Sequence, residues 1–164
     1  GEEKKRLSRL LIKRMKERQV SCGPGAKDRL PDRLHQRQRA LLDCMLPNLP
    51  EGVPFQDYIN EGSCNFYGAP TAILITLDQV FSSARLTDIG ITLGYLLLAA
   101  HALGLGTCPV GLITAFDEDI KEALSLPQER QVVIGVGVGY PDIDAGVNRT
   151  RSERAPLEEL VRWR

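Results

Sequence analysis

Polar and apolar positions divide the chain into segments of different period. Residues 2–19 set Leu7, Leu10, Leu11 and Met15 at intervals of three and four among lysines and arginines, which predicts an amphipathic helix. Cys22-Gly-Pro-Gly ends it. A second helix is predicted over 32–46, with Leu34, Leu41, Leu42 and Met45 within reach of one face and Asp32, after Pro31, as its N-cap. Prolines and a glycine mark 48–54 as a loop, and 55–61 reads as a short helix stopped by Gly62. The run TAILITL at 71–77, between Pro70 and Asp78, predicts a strand buried on both faces.

The nearly charge-free stretch 88–111, DIGITLGYLLLAAHALGLGTCPVG, opens as a helix with Thr87 or Asp88 as its cap. Its apolar residues go most of the way round, the pattern of a helix inside a sandwich. Glycines then break it into a turn containing Pro109. An acidic-start helix at 116–124, a buried strand at 131–140 and an extension over 145–164 with a short helix or strand follow. Helices, strand, helix, helix, strand and tail in that order predict an α+β or layered arrangement with helices covering a sheet.

The 164 residues suit one domain with a real core. Twenty-one Lys and Arg balance 21 Asp and Glu, so no global field favours nucleic acid or an anionic membrane, although cations concentrate in 3–39. Arg33, Arg37 and Arg39 have no aromatic platform beside them, which argues against RNA. Residues 89–105 lack Asp, Glu, Lys and Arg, yet fall short of the ~20 apolar residues of a membrane span and include Thr92, His101 and glycines. Four scattered cysteines without Cys-x-x-Cys spacing exclude a structural zinc site and suit a reduced, cytoplasmic protein. The charged N-terminus resembles no signal peptide.

Three motifs carry candidate chemistry. GLGTCPVG (104–111) follows a helix, whereas a dinucleotide-binding loop opens one, so a Rossmann reading fails. Gly104 is expected to end the helix in a left-handed conformation, while Gly106 and Gly111 leave room for something flat or bulky. A tight helix-to-strand turn without ligand is the alternative. In GVGVGY, Gly135, Gly137 and Gly139 share one strand face, which predicts close packing against helix 89–103. NRTRSERAPLEEL places Arg149, Arg151 and Arg154 before Pro156, either for phosphate oxygens or as a solvated basic tail. His35 reads as a surface residue, His101 as a core histidine and Cys108 as a packing thiol. No Gly-x-Ser-x-Gly elbow or Ser-His-Asp order supports hydrolysis.

Together, NFYGAPTAILITLD, DIGITLGYLLLAAHALGLGTCPVG, QVVIGVGVGYPD and RSERAPLEELVRW occur in an order that resembles the nitroreductase family over about 65–164. The resemblance implies an α+β sandwich, a mixed, mainly antiparallel sheet flanked by helices, truncated at the N-terminus. It implies one domain over 1–164, with a variable helical part at 1–64, a core at 65–144 and an extension at 145–164. It further implies a homodimer binding FMN, with NAD(P)H as co-substrate and ping-pong reduction of nitro, quinone or enone compounds. By this likeness Pro109 and Val110 lie against the flavin ring, and an N–H of Gly111 or Leu112 faces its N5. Arg154 matches the position of the phosphate-binding arginine, with Arg151 beside it. The family's Arg-Ser-x-Arg and Ser-x-x-Asn-x-Gln-Pro-Trp-like segments are not matched; Arg6-Leu7-Ser8-Arg9 has some of the letters at other spacing. A fragment of a larger enzyme, a second chain that completes the site, and a flavin-free relative with a cofactor-independent or binding role all remain open.

Overall fold

The computed structural model describes residues 1–23 and 29–164, so Pro24 and Gly25 of the expected helix break lie outside the described residues. Its residues group into two compact units, Gly1–Cys22 with Gln56–Pro141, and Gly23–Phe55 with Asp142–Arg164.

The first unit is built on three strands, β1 (Thr71–Asp78), β2 (Gly106–Val110) and β3 (Arg130–Gly139). Their order is β1-β3-β2 and both pairings are antiparallel, as in the mainly antiparallel α+β fold expected. Strand β2 lies where the sequence predicts a turn. Its Pro109 is tolerated because β2 is an edge strand, where one row of amides needs no ladder partner. Strand β1, expected to be buried on both faces, is half-buried along nearly its whole length, because it forms the opposite edge.

One face of the sheet carries the core. Helix α1 (Glu2–Arg18) buries Leu7, Leu11 and Met15, and helix α5 (Asp117–Leu124) buries Ile120. With Phe66, Val110, Ile113, Phe116 and Val132 these form one cluster, to which the first helix contributes. The glycine face of β3 points here, and not at the central helix as expected. A Cβ on Gly135 would lie 2.5 Å from Ile113 and 2.9 Å from Phe66, and one on Gly137 2.9 Å from the Phe66 carbonyl. The register slips between Ile75 and Thr76, which pair with Ile134 and Val132. That extra β3 residue reverses the alternation and turns Val132 toward the glycine side.

Helix α3 (Phe55–Asn65) passes through Gly62 instead of stopping there. A side chain at Gly62 would strike the Tyr67 ring, so the glycine makes room for that ring. Phe66, Tyr67 and Gly68 then take φ of 56°, 48° and 75° in succession. A left-handed conformation costs roughly 1–2 kcal/mol at each non-glycine residue. Full burial of Phe66, worth about 1.5–3 kcal/mol, offsets much of it. Asn65 Oδ1 accepts the Gly68 N–H at 3.1 Å, and the Lys4 ammonium stands 5.8 Å from the Phe66 ring centre.

Helix α4 (Leu86–Ala102) departs most from expectation. It starts at Leu86 with Arg85 as N-cap, two or three residues before the expected caps Thr87 and Asp88. Its C-terminus is as expected: Gly104 has φ 73°, and the amides of Gly104 and Leu105 return to the carbonyls of His101 and Ala100. Within this chain, however, α4 is not a buried helix. Ala100 is its one buried residue, while Ile91, Tyr95 and Leu98 are more than half exposed.

In the second unit, helix α2 (Asp32–Met45) begins after Pro31, which occupies the N-cap position expected for Asp32. Leu34, Leu42 and Met45 are half-buried there, and Leu41 is exposed. Two short helices follow in the extension, α6 (Gly146–Arg149) and α7 (Leu157–Leu160). Arg37 of α2 meets Glu159 of α7 at 2.6 Å. Gly146 brings its backbone against Asn48, whose carbonyl a Cβ would meet at 3.0 Å.

Two outcomes follow from this packing. Gly137→Ala, confronting backbone and not a flexible side-chain end, is expected to lower stability by about 1–3 kcal/mol, read as a fall in urea midpoint at unchanged slope. Burial pushes the Cys64 thiol up to about 11 and leaves it no exposed surface. Its alkylation at pH 7.5 should therefore follow global unfolding, and mass spectrometry should find Cys64 unlabelled in the native protein.

Candidate functional site

Strand β2 gives way at Gly111 to a 3-10 turn, Leu112–Phe116, which runs directly into α5. This junction holds four of the six site residues expected from the sequence. Pro109 is exposed, whereas Val110 is 3% exposed with its side chain in the core, so only its backbone is available to a ligand. A Cβ added to Gly111 would meet no atom within 4 Å. Its φ of −84° is one any residue adopts, so open space and not backbone strain distinguishes this position. Leu112 is half-buried and heads the 3-10 turn, where geometry leaves an N–H without an intrahelical acceptor. The Gly111 carbonyl is occupied, accepting from the amide of Thr114 at 3.1 Å and from its hydroxyl at 2.9 Å.

The other two expected residues, Arg151 and Arg154, belong to the second unit and are exposed. Arg151 Nη1 donates to the carbonyls of Asn148 and Thr150, and Arg154 Nη1 to the carbonyls of Ser152 and Glu153 and the Ser152 hydroxyl. Each guanidinium keeps further donors for an anion, since arginine carries five N–H groups. Arg149 instead lines a cavity of about 360 Å³ with Pro47, Asn48, Leu49, Pro50, Ala145, Gly146 and Val147.

Residues that sequence reasoning passed over tie the 3-10 turn down. Asp117 Oδ1 accepts the Val132 N–H at 2.6 Å. Strand β2 pairs with β3 only over Gly135–Gly139, and Asp117 takes a β3 amide beyond its reach. Lys121, with its side chain 1% exposed, places Nζ 3.1 Å from Asp117 and 2.6 Å from Glu118. Glu118 first, and then Asp117, hold the Lys121 ammonium above the usual lysine range. On the far side of the same helical turn, buried Asp119 is clasped by Arg14 Nε at 2.8 Å and Arg18 Nη1 at 2.8 Å. The spacing Asp117, Glu118 and Lys121 was a readable signal of i,i+4 and i,i+3 pairing. Its burial was not readable.

Cys108 is half-buried against the core, and burial pushes its thiol up, so it packs as a neutral side chain. Tyr58 and Tyr67, whose rings sit 5.6 Å apart, are raised by the same cause. His101, expected in the core, is exposed in the last turn of α4, and His35 is exposed as expected. Among the described residues no His, Cys, Asp and Glu group could hold a metal, and no helix is long and apolar enough to cross a membrane.

Solved and curated proteins resemble this chain in fold or in sequence. The family model described as Nitroreductase family matches residues 2–140, reaching back through α1 and stopping short of the arginine tail. The 4-nitrobenzoate reductase of Pseudomonas putida is 36% identical over 90 residues, covering 55% of this chain and 40% of that protein. The chloronitrobenzene nitroreductase of Comamonas testosteroni is 33% identical over 101 residues, 62% of this chain and 44% of that protein. The match thus spans less than half the length of either reductase. The crystal structure of the FMN-dependent nitroreductase NfnB from Mycobacterium smegmatis in complex with NADPH superposes with a TM-score of 0.84 at 26% identity. It covers 100% of this chain and 75% of that one. With a family model matched over most of its length, the β1-β3-β2 sheet and the glycine junction in place, this chain belongs to the nitroreductase family.

Proposed function

We propose that the chain acts as an FMN-dependent NAD(P)H oxidoreductase that works in the cytoplasm. The observation that carries this reading is the β2–α5 junction of a family member, where an open space at Gly111 adjoins a helix-start amide at Leu112. A flat ring system fits such a surface. Backbone approaches closely where no Cβ intervenes, and the N–H groups of Gly111 and Leu112 offer donors to electronegative ring atoms. Bound FMN would accept hydride from NAD(P)H and pass it on to a nitro, quinone or enone compound in ping-pong fashion.

The chain's own residues then have separable tasks. Pro109 and the Val110 backbone form a rigid floor, since proline fixes its own φ and Val110 is anchored by its buried side chain. The amides of Gly111 and Leu112 stabilise negative charge developing on the ring. Arg154, helped by Arg151, is assigned the phosphate, because a guanidinium matches phosphate oxygens with paired donors. The relatives support the cofactor: NfnB is named as FMN-dependent and was crystallised with NADPH. The names of the two curated reductases favour nitroaromatic compounds as substrates.

The exposed apolar side of α4 is assigned to a second copy of the chain. Ile91, Tyr95 and Leu98 follow helical spacing on one side, 57%, 70% and 67% exposed, with no charged residue between them. A helix apolar most of the way round is stable in water when another surface covers it.

Two measurements test these assignments. Titrating FMN into the purified chain should quench flavin fluorescence and leave a protein-bound visible spectrum after dialysis. Gly111→Val should abolish that binding while leaving the unfolding midpoint unchanged, and Arg154→Ala should weaken it by about 1.5–3 kcal/mol. A colourless protein indifferent to FMN would instead favour a flavin-free relative. Leu98→Asp should halve the mass seen by sedimentation equilibrium, and an unchanged dimer mass would remove α4 from the interface.

A further inference from the structure

We propose that Asp117 and Lys121 form a positioning device for the flavin-facing junction, fixing where the Gly111 and Leu112 amides point. The inference rests on the flavin reading above for its purpose, and on geometry for its existence. The 3-10 turn 112–116 has β2 at one end and the first turn of α5 at the other. At the β2 end, Val110 is fixed by the ladder to Gly135. At the α5 end, no ladder is available, because β2 pairs with β3 only from Gly135 onward. Asp117 supplies the missing link with its 2.6 Å bond to the Val132 amide. The bond falls beside the slipped register of β3, where ladder pairing is interrupted.

A carboxylate that accepts one amide while four-fifths buried needs its charge answered. Lys121 answers it from the next helical turn, 3.1 Å from the second Asp117 oxygen, and reaches Glu118 at 2.6 Å. A lysine buried to 1% exposure is kept there by a specific charge arrangement, since an unpaired buried ammonium is strongly disfavoured. Asp119 performs the matching task toward α1 through Arg14 and Arg18, so the first turn of α5 is held by both the sheet and a helix. The 3-10 turn between these anchors therefore has little freedom, and its leading amides are set before any ligand arrives. Asp117 and Lys121 touch no ligand themselves in this arrangement. Their effect passes through the turn.

Hydrogen exchange by mass spectrometry, combined with FMN titration of the same full chain, tests the proposal. In Asp117→Ala, amides of 112–116 should exchange at least ten-fold faster while those of 7–15 in α1 keep their wild-type rates, and FMN affinity should fall at least ten-fold. Asp117→Asn keeps an oxygen for the Val132 amide but turns its NH2 toward the Lys121 ammonium, so its exchange rates and FMN affinity should fall between those of the wild type and of Asp117→Ala. Lys121→Met, which leaves the Asp117 acceptor in place, should give the same localised acceleration and serves if Asp117→Ala does not fold. Wild-type exchange at 112–116 in a folded variant, or acceleration spread evenly over α1 and the sheet, would overturn the device and leave these residues general stabilisers. Failure of the wild-type chain to bind FMN would overturn the flavin reading, and the exchange rates would still decide whether the pair holds the turn.

Discussion

Close approach to the glycine face of β3 is the constraint on which the first unit depends. Gly135, Gly137 and Gly139 clear one side of the second half of the central strand, and Phe66, Ala69, Pro70 and Ile113 occupy the space so created. Because β3 is the strand that both β1 and β2 pair with, that contact packs against the centre of the sheet. The left-handed run at Phe66, Tyr67 and Gly68 belongs to the same arrangement. It drives the Phe66 ring into the layer vacated by the glycines, and burial of that ring offsets much of its conformational cost.

The candidate site is a by-product of this packing. Ile113 fills the space over Gly135, which fixes the 3-10 turn above the end of β2 and leaves Gly111 beside open space. Charge then completes what packing begins. Asp117, Lys121 and Asp119 lie within five residues of one another and reach β3 and α1, so a short helix of eight residues is anchored more firmly than its length alone allows. The site thus combines an apolar, close-packed underside with an exposed glycine surface. That combination suits holding a planar ligand better than forming a nucleophile, and the neutral thiol of Cys108 agrees with it.

Much of the local structure was legible in sequence. The stripe Leu7, Leu11 and Met15 identified α1, Gly104 identified the left-handed end of α4, and the run at 71–77 identified β1. Each is a short-range signal, a matter of period or of a backbone angle that few residues adopt. The junction 109–112 was also marked, since glycines on either side of a proline are seldom without a conformational reason. Strand β2 was not recognised, because a five-residue edge strand containing glycine and proline has no period of its own and exists only through its pairing with β3.

The amino-acid sequence alone determined the helices and the main strands, the family likeness and the location of the glycine junction, because each is written in neighbouring residues. Tertiary structure alone decided which partner each face would meet. The β3 glycines turned toward Phe66 and Ile113 and not toward α4, since an extra residue in the ladder and a left-handed turn select the face, and neither appears in composition. Likewise α4 emerged with its apolar side exposed, because hydrophobic pattern states that a surface must be covered and does not say by what. Lys121 shows the same limit: its neighbours in sequence made an ion pair readable, while only the packing of α5 buried the lysine side chain.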